Sequence, residues 1–190
     1  MIQQIAVLDA CVLYSASLRD LFMWLAMAGI YFPKWTEQIH EEWIGNVLKN
    51  RPDISRERLE RTQELMNLHA EGSLVEKYSP LISTLSLPDA NDRHVLAAAI
   101  VSNASVIVTF NLSDFPKDTL AAYKIEVQHP DMFLSDLFDA APQIFSTTLI
   151  EMICQLKNPP RTLEQYIDGL STQCLKDIAQ RLRTHSTSSY

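Results

Sequence analysis

The chain has 190 residues, of which 47% are hydrophobic and 21% charged, which suits one cored domain, alone or with a helical appendage. No basic flank leads into a long apolar run at Met1-Ile-Gln-Gln4, and no uninterrupted apolar run reaches the roughly 18 residues of a membrane span, so a soluble, cytoplasmic protein without a signal peptide is expected. A net charge of −7 weighs against a simple polyanion binder, though carboxylates that hold divalent cations would account for part of it.

The charge is uneven: from Glu151 onward Lys157, Arg161, Lys176, Arg181 and Arg183 outnumber Glu151, Glu164, Asp168 and Asp177. Cys11, Cys154 and Cys174 show no CxxC spacing, which argues against a disulfide framework or a zinc site and predicts small buried hydrophobes.

In chain order, Ile5-Ala-Val-Leu8 is a wholly apolar run of the kind that forms a buried parallel strand, and it stops at Asp9. Ser15 or Ser17 caps a helix running to about Ala28, with Leu18, Leu21, Phe22 and Leu25 on one face and Gly29 at its end. Ile30-Tyr-Phe32 is extended. Thr36 opens a second helix with an apolar face of Ile39, Trp43, Val47 and Leu48, broken at Pro52. Arg56 to Ala70 is a third, very polar helix closed by Gly72, and Leu74–Tyr78 is a possible strand. A helix from Ala90 to Ser102, a buried strand Ser105–Thr109, a helical turn or two over 112–122 and a short strand Ile125–Gln128 come next.

From Pro130 the alternation stops. Helices are predicted over 131–140, over 142–156 with Pro142 at the first position, after the capping box Thr162-Leu-Glu-Gln165, and over 173–183. Asn158-Pro-Pro160 is a break and 185–190 a loose polar tail. Strands alternating with helices indicate an α/β class, a three-layer α/β/α fold with a mainly parallel sheet, followed by a helical C-terminal extension. The expected domains are 1–134 and 135–190.

Four acids stand where this architecture gathers them: Asp9 after the first strand, Glu42 on the second helix, Asp92 at a helix start, and Asp114 beyond the strand ending at Thr109. An acid directly after four apolar strand residues is expensive unless it is paired or binds metal. Grouped carboxylates stay ionised together only when a cation compensates them, and oxygen donors suit Mg²⁺ or Mn²⁺. Such a cation can activate water against a phosphodiester. Glu41 and Glu42 differ by about 100° on a helix, so only one can face Asp9; Ile39, Trp43 and Val47 define the buried side.

Three segments carry a resemblance: Val7-Leu-Asp-Ala-Cys-Val-Leu13, Leu87-Pro-Asp-Ala-Asn-Asp-Arg-His-Val-Leu-Ala-Ala-Ala99 and Val106-Ile-Val-Thr-Phe-Asn-Leu-Ser-Asp-Phe-Pro116. In that order they resemble PIN-domain proteins over roughly residues 4–134. Ser15–Leu21 and Trp35–Trp43 resemble the subgroup of VapC-type toxins with a helical C-terminus. The resemblance implies a metal-dependent endoribonuclease with one or two Mg²⁺ or Mn²⁺ ions on Asp9, Glu42, Asp92 and Asp114. Thr109 and Asn111 would orient the site, and Asp89 would support it from outside. It favours the acid before Trp43, hence Glu42. It also implies an RNA substrate such as tRNA or rRNA, a cognate antitoxin and a possible homodimer.

Arg19 is a candidate phosphate contact or a surface ion pair with Asp20 or Glu42, and Arg58 and Arg61 share a helix face that could meet substrate. His94 reads as structural rather than catalytic, and Tyr14 and Trp35 as core rather than base-stacking groups. Two alternatives are a PIN-fold module that binds RNA or protein without cutting, and a structure-specific DNA nuclease. An aspartate-based phosphotransferase is disfavoured, because Cys11 stands where that chemistry wants a second Asp.

Overall fold

The computed structural model describes residues 4–157 and 159–187; Met1–Gln3, Asn158 of the expected break and residues 188–190 of the expected tail lie outside the described residues. Two compact units are distinguished, Met1–His129 and Pro130–Tyr190.

In the first unit the apolar run after Gln4 forms β1 (Ile5–Leu8), and Ala6, Val7 and Leu8 are fully buried. It pairs in parallel with β2 (Phe32–Lys34) on one side and β3 (Val106–Val108) on the other, and β3 pairs in parallel with β4 (Glu126–Gln128). The strand order β2-β1-β3-β4 leaves Pro33 in an edge strand, where its missing N–H is tolerated. Flanking helices give the three-layer α/β/α arrangement. The chain leaves β1 towards one edge and later returns on its other side to form β3, so the crevice beyond the carboxyl ends of β1 and β3 is the topological switch point of the sheet.

Asp9 closes β1 and caps α1 (Ala10–Tyr14), a five-residue helix whose apolar pattern runs on into the next helix without a break. Ser15 then caps α2 (Ala16–Met27), and Gly29 ends it at φ 72°, a left-handed value that glycine adopts freely. Thr36 caps α3 (Glu37–Asn50), whose buried face is Ile39, His40, Trp43, Ile44 and Val47. Ser55 caps α4 (Arg56–His69). The strand expected over 74–78 is reduced to a single bridge between Trp35 and Leu74, and a short helix, α5 (Ser79–Ile82), comes after it.

A 3-10 turn (Ala90–Asp92) leads into α6 (Arg93–Val101), which packs across β1 and β3 with Val95–Ala99 fully buried. Another 3-10 turn (Leu112–Asp114) and α7 (Lys117–Ala121) join β3 to β4.

The second unit is helical: α8 (Pro130–Ala140), α9 (Pro142–Gln155), α10 (Leu163–Thr172) and α11 (Lys176–Thr187), the last beginning and ending later than the expected 173–183. Thr162 and Gln165 form the expected capping box. Asp131 of α8 caps α11 from a distance, accepting from the Asp177 and Ile178 N–H groups at 3.0 and 2.9 Å. Phe145, Leu149 and Ile153 are buried, while Ile144 and Ile150 are about half exposed. Cys154 and Cys174 are exposed, contrary to the expectation of buried hydrophobes. Among the described residues no helix is long and apolar enough to cross a membrane.

Candidate active site

Strand register builds the first half of the site. Leu8 is level with Val108, so the next residues, Asp9 and Thr109, leave β1 and β3 side by side. Both are buried. Thr109 Oγ1 donates to Asp9 Oδ2 at 2.7 Å and accepts the Asn111 N–H at 3.0 Å. The Ala10 N–H donates to Asp9 Oδ1 at 2.6 Å.

Cys11 joins this network. Its thiol donates to Asp9 Oδ2 at 3.1 Å, and its sulfur accepts the Phe110 N–H at 3.3 Å. Burial, followed by the Asp9 charge, pushes the Cys11 thiol up to about 12, so it is a fixed donor and not a nucleophile. The expectation of a plain buried hydrophobe does not hold at Cys11. The available signal was its place two residues after Asp9, on the first turn of α1.

Asp92 ends the turn before α6. Its carboxyl is pushed from the ordinary 3.8 to about 6, first by burial, then by the charges of Asp9, Asp114 and Asp89, with His94 opposing. The three acids thus lie close enough to Asp92 to act on it. Asp114 ends the 3-10 turn beyond Thr109, its N–H donating to Asn111 O at 3.1 Å. Asp89 is exposed and caps its turn through the Asn91 N–H at 2.8 Å.

Adjacent acids on α3 diverge. Glu41 is turned to Arg56 of α4 at 3.1 Å, whereas Glu42 Oε1 is 2.9 Å from His94 Nε2 on α6, two residues past Asp92. The rotation of α3 is set by a buried polar chain. Trp43 Nε1 donates to His40 Nδ1 at 3.0 Å, so His40 Nε2 donates to Asn67 Oδ1 at 3.3 Å, and Trp35 Nε1 donates to the same oxygen at 2.7 Å. Trp35 is accordingly a core residue, whereas Tyr14 is exposed.

Arg19 does not present its charge to solvent. It is buried, donates from Nη1 to Leu13 O at 2.6 Å and lies over the Trp43 ring at 4.5 Å; its Nε has no partner among the described residues. In this place it braces α2 against α3 and is neither a surface ion pair nor an exposed phosphate contact. Arg58 and Arg61 are exposed on α4, where Arg61 pairs with Glu64 at 2.7 Å; the interactions found for them do not involve Asp9, Glu42, Asp92 or Asp114.

Asp9, Asp92, Asp114 and Glu42 present hard oxygen donors, and the mutual repulsion felt at Asp92 is the condition a divalent cation relieves. Soft-metal chemistry fits poorly, because the Cys11 thiol and the His94 Nε2 are both spent on carboxylates. Among the described residues no three His, Cys, Asp or Glu side chains converge tightly enough to grip an ion as they stand.

Residues 6–113 match the family model of the PIN domain, over half of the chain, and residues 130–184 match that of the VapC50 C-terminal domain. Over 106 residues the chain is 38% identical to a protein of Mycobacterium tuberculosis (strain ATCC 25618 / H37Rv) named "Putative ribonuclease VapC50". That match covers 56% of this chain and 62% of the relative, so just under two thirds of the relative's length is spanned. No solved structure matches the chain significantly. The chain belongs to the PIN-domain family.

Proposed function

We propose that this protein is a divalent-metal-dependent endoribonuclease that hydrolyses RNA phosphodiesters, with Asp9, Glu42, Asp92 and Asp114 as the residues that hold Mg²⁺ or Mn²⁺. The observation that carries this reading is geometric: the buried Asp9 carboxylate, held by Thr109, Cys11 and the Ala10 N–H, closes β1 at the switch point of the sheet, and with Asp114 and Asp89 it comes close enough to Asp92 to raise that carboxyl. A structural cap has no reason to sit among three other carboxylates, since each added charge costs stability. The name of the relative, a ribonuclease, supports the choice of substrate.

A divalent cation bound there would supply positive charge, acidify water for attack and stabilise the leaving oxygen. The chain supplies the rest. The Thr109 hydroxyl, Cys11 thiol and Ala10 N–H fix both oxygens of Asp9 against rotation. Asn111 N–H holds the Thr109 hydroxyl in the direction that donates to Asp9. Glu42, Asp92 and Asp114 are only partly buried, so a single-stranded or loop RNA could reach them.

By the same reading the protein is the toxin of a toxin–antitoxin pair. Its partner would be an antitoxin protein and its substrate a tRNA or rRNA loop. The test offers purified protein single-stranded RNA and branched DNA together during a Mn²⁺ titration. Metal-dependent scission of the RNA alone is expected. Scission of branched DNA would favour a structure-specific DNA nuclease, and RNA binding without metal or scission would favour a non-catalytic module.

A further inference from the structure

His94 has no task in the chemistry above, yet it is 2% exposed while the Glu42 carboxylate it meets is 37% exposed. Its Nε2 lies 2.9 Å from Glu42 Oε1, and Gln38, one turn earlier on α3, donates to the same oxygen at 3.3 Å. Both contacts fall on Oε1, which leaves Oε2 engaged by neither. His94 Nδ1 has no hydrogen-bond partner among the described residues. A buried ring nitrogen left without a partner is unfavourable. The placement of this ring is therefore explained by what it does for Glu42, not by satisfaction of its own groups.

A half-exposed glutamate on a helix samples several rotamers and loses that freedom when it binds a ligand. A donor that cannot move removes the freedom in advance. His94 meets that requirement, because it is enclosed at the start of α6, and α6 is anchored across β1 and β3. The imidazole also joins α6, the helix that begins directly after Asp92, to α3, the helix that carries Glu42.

We propose that His94 is a positioning residue, which holds the Glu42 carboxylate in the orientation needed to complete a divalent-cation site with Asp9, Asp92 and Asp114. The proposal rests on the metal-ribonuclease reading. It differs from a simple helix-to-helix staple in predicting that the loss of His94 reaches the cation.

The experiment titrates the metal-free full chain with Mn²⁺ and follows free Mn²⁺ by electron paramagnetic resonance, for wild type, His94→Asn, His94→Gln, Glu42→Gln and the Glu42→Gln/His94→Asn pair. Melting in EDTA is recorded for each. Glutamine carries its amide nitrogen near the position of His94 Nε2, whereas asparagine stops short of Glu42. The Asn variant should bind Mn²⁺ about 10-fold more weakly, the loss typical of removing a partner that orients a ligand. The Gln variant should recover most of that loss, and the double variant should bind no more weakly than Glu42→Gln alone. Equal Mn²⁺ binding by wild type and the Asn variant, whatever their melting points, would overturn the proposal. So would equal losses in the Asn and Gln variants, or an undiminished loss in the Glu42→Gln background. Failure of wild type itself to bind Mn²⁺ would instead overturn the metal-ribonuclease reading, and this proposal with it.

Discussion

Asp92→Asn replaces the most strained acid of the site with a neutral group of the same shape. In the folded chain the Asp92 carboxyl titrates at about 6 instead of 3.8, so the folded state binds this proton more tightly than the unfolded state does. Stability from this group is therefore fully present below about pH 4 and is lost as pH rises through about 6. Without screening, a shift of this size is about 3 kcal/mol; Asp92 is only half buried, and solvent reduces the figure to roughly 1 kcal/mol. Asp92→Asn should then stabilise the metal-free protein at pH 7.5 by about that amount, or roughly 2–4 °C in melting temperature for a chain of this size. At pH 4 the gain should vanish, because Asp92 is protonated there in the native protein. The assay is thermal melting by circular dichroism in EDTA at both pH values. With excess Mn²⁺ the order should reverse, because wild type gains binding energy that the variant has lost. A variant that melts at or below wild type at pH 7.5 in EDTA would refute the reasoning that Asp92 is held against like charge.

Three further outcomes are expected from the geometry. Thr109→Val removes the hydroxyl that donates to Asp9 at 2.7 Å while keeping its shape, and should cost about 1–3 kcal/mol in urea denaturation; no change would mean that Asp9 does not depend on this bond. Iodoacetamide at pH 8 should label Cys154 and Cys174 in the native protein and Cys11 only after denaturation, read by peptide mass, because burial and Asp9 hold the Cys11 thiol at about 12. Rapid native labelling of Cys11 would contradict its place in the site. Arg19→Ala should destabilise by about 2–4 kcal/mol through loss of the Leu13 bond and the Trp43 contact. It should leave the salt dependence of RNA binding unchanged, and a shallower salt slope would restore Arg19 as a phosphate contact.

Legibility in the sequence depends on where the determining contacts lie. The Ile5–Leu8 run and the acid after it expose β1 and Asp9 without tertiary information, because an apolar run ended by a carboxylate is a local signal. The apolar stripe Ile39, Trp43, Val47 is also local, and it defines the buried side of α3. The role of Cys11 is hidden because Thr109 and Phe110 lie 98 and 99 positions away and meet it only after β1 and β3 pair. Burial of Arg19 is hidden for the same reason: its Leu13 bond is local, but the ring that covers it belongs to α3. At 74–78 the apolar residues suggest a strand, yet among the described residues its backbone pairing is limited to Val75 N–H and Ser73 O bonding to Trp35, which makes one bridge. The shortness of α1 is hidden because Asp9 caps one helix and Ser15 the next, with no proline or glycine between them.

Cutting of RNA by these carboxylates with the help of a divalent cation is tested most directly by incubating total cellular RNA with the purified protein and Mg²⁺ or Mn²⁺, beside Asp9→Asn and an EDTA control. Discrete fragments that disappear in both controls are the predicted result, and mapping their ends names the target. Cleavage that persists in EDTA or in Asp9→Asn, or no cleavage together with no divalent-ion binding, would contradict a metal-dependent ribonuclease built on these acids.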